Sequence, residues 1–141
     1  MKRKRLVLDA SILLRAVFGK RVRALLTTYG GRASFYTPDI CLVEARKYIP
    51  SISARENLDA NDNFLALDEL VLLLEVTDLK EYEAHELSAR QRMASRDLAD
   101  WPIAATALLL DCPIWTEDQD FFGAGIATWT TANVELYLRD A

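Results

Sequence analysis

Four acidic side chains, Asp9, Glu44, Asp100 and Asp118, stand in four separate segments of the sequence, each in or beside an apolar stretch. If folding brings them together, they repel one another and each raises its neighbours' pKa. Hard divalent cations relieve that repulsion, because Mg²⁺ and Mn²⁺ favour carboxylate oxygens and retained water. One or two such ions activate a water and stabilise the leaving oxygen of an in-line displacement at phosphorus. The chemistry open to these residues is therefore metal-dependent hydrolysis of a phosphodiester. Each residue also has a plainer reading. Asp100, just before Trp101-Pro102, could cap a helix, and Asp118 could cap a short helix after Thr116. Glu44, close to Arg46 and Lys47, could be an exposed helix charge. Asp9 is hardest to explain this way, since a carboxylate closing a buried strand costs free energy unless something pairs with it. Asp97 and Asp120 compete with their neighbours for the same roles, and Ser11 and Thr116 are hydroxyls able to orient the carboxylates. Asp39, after Pro38, reads as a helix-start residue.

Other chemistries are excluded by what the sequence lacks. His85 is the only histidine, so two-histidine acid–base nucleases and zinc sites built on paired histidines are unavailable. A phosphoryl-accepting receiver domain needs a lysine near the end of its last strand, whereas the last lysine here is Lys80. A haloacid-dehalogenase-type phosphatase would start with Asp-x-Asp where this chain has Asp9-Ala10-Ser11, and no GxGxxG follows the first strand. The two cysteines, Cys41 and Cys112, lack CxxC spacing and lie in apolar stretches, as expected for buried reduced thiols. A net charge of −4 argues against a generic nucleic-acid-coating protein.

The elements that must position these acids are legible in the pattern. With 141 residues, 51% hydrophobic and 27% charged, the chain fits one globular domain over residues 1–141. Apolar runs at Leu70–Leu74 and Ile103–Leu110 fall short of the ~18 residues of a membrane span. The basic N-terminus is followed at once by Asp9 and then Arg15, without a cleavage site, so the expectation is a cytoplasmic protein with no membrane association. Arg5–Asp9 has the length of a strand, and Ile12, Leu13, Ala16 and Val17 recur at helical spacing. Val22, Leu25 and Leu26 suggest a second short helix before the Gly30-Gly31 break. Ala33–Thr37 reads as a strand, and a helix starts at Pro38-Asp39 and carries Glu44. Pro50 to Asn63 reads as a loop or helix start, Phe64 to Leu74 as a buried helix, Glu75–Thr77 as a weak strand, and Lys80 to Arg96 as a charged helix. A helix from Asp100 to Leu110, strands at Cys112–Thr116 and Ile126–Trp129, and a closing helix at Asn133–Arg139 complete the chain. Strands alternating with helices imply an α/β fold: a three-layer α/β/α sandwich around a mostly parallel sheet of four to five strands. Sites in such folds form beyond the carboxyl ends of the strands, where Asp9 and Asp118 stand.

In this arrangement the sequence resembles the PIN-domain nucleases, particularly the compact bacterial VapC-type toxins. Val7-Leu-Asp-Ala-Ser-Ile-Leu-Leu14 is similar to the family's opening strand and helix with its first metal-binding aspartate, here Asp9. Leu42-Val-Glu-Ala-Arg46 corresponds to the segment carrying its glutamate, here Glu44, and Asp100–Ala107 to the helix opened by its third acid. Trp115-Thr-Glu-Asp-Gln-Asp-Phe121 resembles its threonine–aspartate–phenylalanine turn, with Asp118 as the fourth. The resemblance implies a Rossmann-like PIN fold, Mg²⁺- or Mn²⁺-dependent endonuclease activity, usually on RNA, and, for toxin members, dimerisation and silencing by an antitoxin. It departs at Ser11, where the family often has asparagine, and at Asp-Trp-Pro, where Asp-Ala-Leu is more usual. A PIN-like module that binds RNA or protein without cutting is the alternative reading.

For the substrate, Arg15, Lys20, Arg21 and Arg23 follow Asp9, and Arg46 and Lys47 flank Glu44; these are candidates for phosphate positioning. The Lys2–Arg5 cluster enters the first strand from the far end, about 13 Å or more from Asp9 at ~3.3 Å per residue. Trp101, Trp115 and Trp129 sit in apolar context and are expected in the core.

Overall fold

The computed structural model describes residues 3–139, so Lys2 of the basic cluster lies outside the described residues. The alternation of short extended runs with helical ones resolves into β1 (Lys4–Leu8), α1 (Ala10–Phe18), α2 (Arg21–Tyr29), β2 (Ala33–Pro38), α3 (Asp39–Arg55), α4 (Ala60–Val71) and β3 (Glu75–Thr77). These are followed by α5 (Leu79–Tyr82), α6 (Glu86–Met93), α7 (Trp101–Leu110), β4 (Ile114–Trp115), β5 (Thr128–Trp129) and α8 (Val134–Arg139). The five strands form one sheet in the order β3-β2-β1-β4-β5, and every pairing is parallel. Parallel strands need crossovers, and here the helices that make them flank the sheet as an α/β/α sandwich. The strand order reverses beside β1, whose neighbours are β2 and β4. The carboxyl ends of β1 and β4 therefore border the crevice where α/β folds place their sites.

The centre of the sheet accounts for its sequence. Leu6, Val7 and Leu8 are consecutive and all fully buried, as a strand covered on both faces requires. α1 buries Ile12, Leu13, Ala16 and Val17 on one stripe. α7 is buried from Pro102 to Ala107, and its alanines let it lie close against β1 and β2. Phe35 and Trp115 meet across the sheet at 6.3 Å between ring centroids. Trp101 and Trp129 are half-buried and pack against this core.

Four expectations are corrected. Pro50 does not open a loop: α3 runs through it to Arg55. Pro50 and Arg46 are both exposed, so water can reach the Arg46 carbonyl that the missing N–H would have paired. Phe64–Leu74 is not a buried helix, for α4 buries Asn63, Leu67 and Leu70 while Leu65 is 60% and Leu72 84% exposed. The Lys80–Arg96 segment is not one helix but α5 and α6 joined by a 3₁₀ turn at Glu83–His85. Its start is set by a capping box in which Asp78 and Glu81 satisfy each other's backbone N–H. Cys112 is half-buried rather than buried, whereas Cys41 is buried; both thiols are free. No helix among the described residues is long and apolar enough to cross a membrane.

The two faces of α4 differ measurably. Leu67→Ala should lower the unfolding free energy by about 2–4 kcal/mol, and Leu72→Ala by less than about 0.5 kcal/mol, in urea titrations of the two variants. Equal losses would mean that the buried face is wrongly assigned.

Candidate active site

Asp9 follows β1 directly and caps α1. Its Oδ1 accepts hydrogen bonds from the Ile12 N–H at 3.0 Å and the Ser11 hydroxyl at 2.7 Å. Its Oδ2 accepts from the hydroxyl of Thr116, the first residue after β4. The Thr116 oxygen in turn accepts from the Asp118 N–H at 2.9 Å. Burial pushes the Asp9 carboxyl above the ordinary aspartate range; the three hydrogen bonds oppose that rise and the neighbouring Asp118 adds to it.

The other acids converge on this point. Asp9, Ser11, Glu44, Asp100, Glu117 and Asp118 line one cleft of ≈ 340 Å³, floored by Ala10 and Ile103. Asp118 caps the 3₁₀ turn Gln119–Phe121 by accepting from the Asp120 N–H at 2.9 Å. Asp100 ends the 3₁₀ turn Leu98–Asp100 and precedes α7, and its side chain makes no capping hydrogen bond. Its pKa is pushed up to about 7, first by partial burial and then by Asp97, Asp118, Asp9 and Glu44. Glu44 lines the cleft from α3 and is exposed. Asp97, Asp100 and Asp120 have carboxylate oxygens within 4.8 Å of one another, so Asp100 belongs to both acidic sets. Asp39 lies outside the cleft lining, where it accepts from its neighbour's N–H and from the Tyr82 hydroxyl.

Glu117 is the cleft residue that sequence reasoning overlooked. It sits between two flagged positions, Thr116 and Asp118, and its Oε1 accepts from the Thr131 N–H at 2.7 Å. The basic candidates are placed differently. Among the described residues, no Lys, Arg or His lines the cleft. Arg46 pairs with Asp68 on α4, and the Lys47 ammonium lies over the Tyr48 ring. Arg15 lines a separate pocket beside α2, while Arg23 donates to the Ala16 and Val17 carbonyls that end α1.

The donor set suits a hard divalent cation: all its charged groups are carboxylates, and after burial their proximity adds to the raised pKa of Asp100. A PIN domain family profile matches residues 7–139. The chain belongs to the PIN domain family. No curated protein shows significant sequence similarity to it. Among solved structures, this PIN domain is similar to VapBC2 from Rickettsia felis bound to a promoter DNA fragment, with TM-score 0.70, 15% identity, and coverage of 89% of this chain and 98% of that one. PAE2754 from Pyrobaculum aerophilum matches with TM-score 0.67 and 17% identity over 99% of this chain and 91% of that one. A toxin–antitoxin complex from Klebsiella pneumoniae matches with TM-score 0.62 and 17% identity over 89% and 97%. At these identities the likeness is one of fold.

The electrostatics predict a pH dependence. Because the folded-state pKa of Asp100 is raised from 3.8 to about 7, the folded chain holds a proton there that the unfolded chain releases. Stability of the metal-free protein is thus highest below pH ~4 for this group and is lost as pH rises through about 7. Asp100→Asn should flatten that part of the profile and stabilise the metal-free fold at pH 8 by about 1–2 kcal/mol, after discounting for solvent screening. Thermal unfolding in chelator at pH 5 and pH 8 tests this; parallel profiles for the two proteins would contradict it.

Proposed function

We propose that this PIN domain is an endoribonuclease dependent on Mg²⁺ or Mn²⁺, acting as the toxin of a toxin–antitoxin pair. The observation that carries the nuclease reading is the convergence of Asp9, Glu44, Asp100 and Asp118, from four separate segments, on a cleft lined by no cationic side chain among the described residues. In the proposal these four residues hold the metal. The ion, when bound, supplies a water acidic enough to attack phosphorus and a charge to offset that of the leaving oxygen. The protein's part is positional. Thr116 and Ser11 hold both oxygens of Asp9 in place, and Thr116 fixes the start of the turn that carries Asp118. Asp100 is free of capping duty, and a bound cation would oppose the rise in its pKa.

The toxin reading is supported by the fold neighbours, which include VapBC2 and a toxin–antitoxin complex. An antitoxin partner, or a second copy of the chain, would find apolar contact area on the exposed side chains of Leu65, Leu72 and Leu73.

Cleavage of a mixed RNA pool in Mg²⁺ or Mn²⁺ tests the activity directly. Wild type should cleave and stop when chelator is added. Asp9→Asn and Asp100→Asn should lose more than ~100-fold, since changes to the outer partners of metal ligands alone cost ~10–100-fold. Equal cleavage by all three proteins would overturn the proposal, and failure of wild type to cut would favour a module that binds without cutting. Thr116→Val, isosteric but unable to donate, should fall within that ~10–100-fold range and weaken Mn²⁺ binding measured by calorimetry. A Thr116→Ser protein should recover both.

A further inference from the structure

Beside the acidic cleft lies a second pocket of ≈ 370 Å³, lined by Arg15, Gly19, Lys20, Arg21 and Thr131 over the apolar wall of Phe18 and Val22. Two links tie it to the cleft. Ser11 lines the cleft and Arg15 lines the pocket, four residues apart on α1, which is about 6 Å along the helix axis. Thr131 lines the pocket, and its N–H donates to Glu117, which lines the cleft. Acidic cleft and basic pocket are therefore adjacent, on opposite sides of the Thr131–Glu117 contact.

The charges in this pocket are available. Arg15 and Lys20 are exposed and make no ion pair or side-chain hydrogen bond among the described residues. Arg21 pairs with Glu135 at 3.2 Å, an exposed contact of small worth. Many other cations are engaged. Arg3 donates to the Gly30, Gly31 and Ala33 carbonyls, and Lys4 to the Tyr137 carbonyl. Arg92 donates to Ala124 and Gly125, Arg90 pairs with Glu86, and Arg46 with Asp68. Beyond the reacting phosphate, which the metal of the proposed function would meet, a polyanion is repelled by the cleft's carboxylates and favours side-chain cations close by.

We propose that this pocket binds the phosphodiester backbone of a single-stranded nucleic acid, taking a phosphate one or two nucleotides from the bond that lies in the acidic cleft. Arg15 and Lys20 make the contacts, and Arg21 joins them by exchanging Glu135 for phosphate. The pocket reads charge and not base identity, because its polar groups are cationic side chains and its one ring is Phe18. This assignment rests on the nuclease reading for its orientation, while the binding itself does not require that reading.

The test is binding of a fluorescent single-stranded RNA oligonucleotide to the full chain, by anisotropy over a salt series. It compares Arg15→Gln/Lys20→Gln with wild type and with Arg55→Gln, a remote exposed cation. Removing two phosphate contacts should weaken binding at least tenfold and make the log–log salt slope shallower by about 1.4, at ~0.7 per contact for single strands. Arg55→Gln should match wild type, and thermal unfolding should confirm that the double variant folds. Where wild type cleaves RNA, the double variant should raise KM with kcat unchanged, the signature of lost uniform binding. Unchanged affinity and slope would overturn the pocket, as would equal competition by an acidic peptide of the same charge. If wild type binds with the predicted slope but never cuts, the pocket stands and the nuclease reading falls.

Discussion

The fold is organised around a buried carboxylate. Asp9 is 5% exposed at the carboxyl end of the central strand, a position where an unpartnered charge would cost several kcal/mol. It is tolerated because both of its oxygens are hydrogen-bonded, one by the first turn of α1 and one by Thr116. That pairing reaches beyond local stabilisation. Thr116 closes the neighbouring strand, so the Asp9–Thr116 bond sets the register between the ends of β1 and β4. Since Thr116 also accepts from the Asp118 N–H, the turn that carries the next acid is positioned from the first. Three short hydrogen-bond steps thus convert the buried end of one strand into the geometry of a site.

The far side of the same turn is held by a different device. Beyond Phe121 the chain passes through Gly123 and Gly125, at φ +85° and +82°. Arg92 of α6 donates to the carbonyls of Ala124 and Gly125. The positive φ of Gly125 calls for glycine, and a Cβ there would displace the Arg92 guanidinium. The chain that leaves α6 leads through Asp97 to Asp100, and Arg96 there donates back to the Arg92 carbonyl. α6 therefore braces the two loops whose acids, Asp97, Asp100 and Asp120, come within 4.8 Å of one another. Like charges stay that close only when the backbone holds them there.

These differences in mechanism explain what was legible in the sequence. Strands ending in Asp9 and Thr116 announce themselves through apolar runs of fixed length, and the parallel sheet follows from their alternation with helices. Asp9 stands out because its neighbours are apolar; Asp100 stands out because a proline two residues on marks a helix start. The rest depended on long-range packing. Pro50 reads locally as a break, but exposure to water lets α3 absorb it. Leu65 reads as core because hydropathy cannot say which face of α4 meets α1 and α3, and Leu72 and Leu73 because it does not show that the helix ends before them. Glu117 carries no local signal of its own, and its contact with Thr131, fourteen residues later, is a long-range one. Arg15, Lys20 and Arg21 are legible together as cations following Asp9, but that they line one pocket with Thr131, and without Arg23, depends on the chain's turn at Gly19 between α1 and α2.

A net charge of −4 conceals a division between two adjoining surfaces. On one side of the Thr131–Glu117 contact stand carboxylates held against their mutual repulsion; on the other stand guanidinium and ammonium groups with few partners. The cleft is a standing cost to the fold: the pKa of Asp100 is raised first by burial and then by the neighbouring carboxylates. A cation that bound the folded chain there would add stability that grows with the logarithm of its concentration above Kd, because ligand binding to the native state is folding free energy. The strain and the affinity have one origin. A cleft made more comfortable by neutral residues would fold better and hold a cation worse, which is the exchange that sites of this kind make against stability.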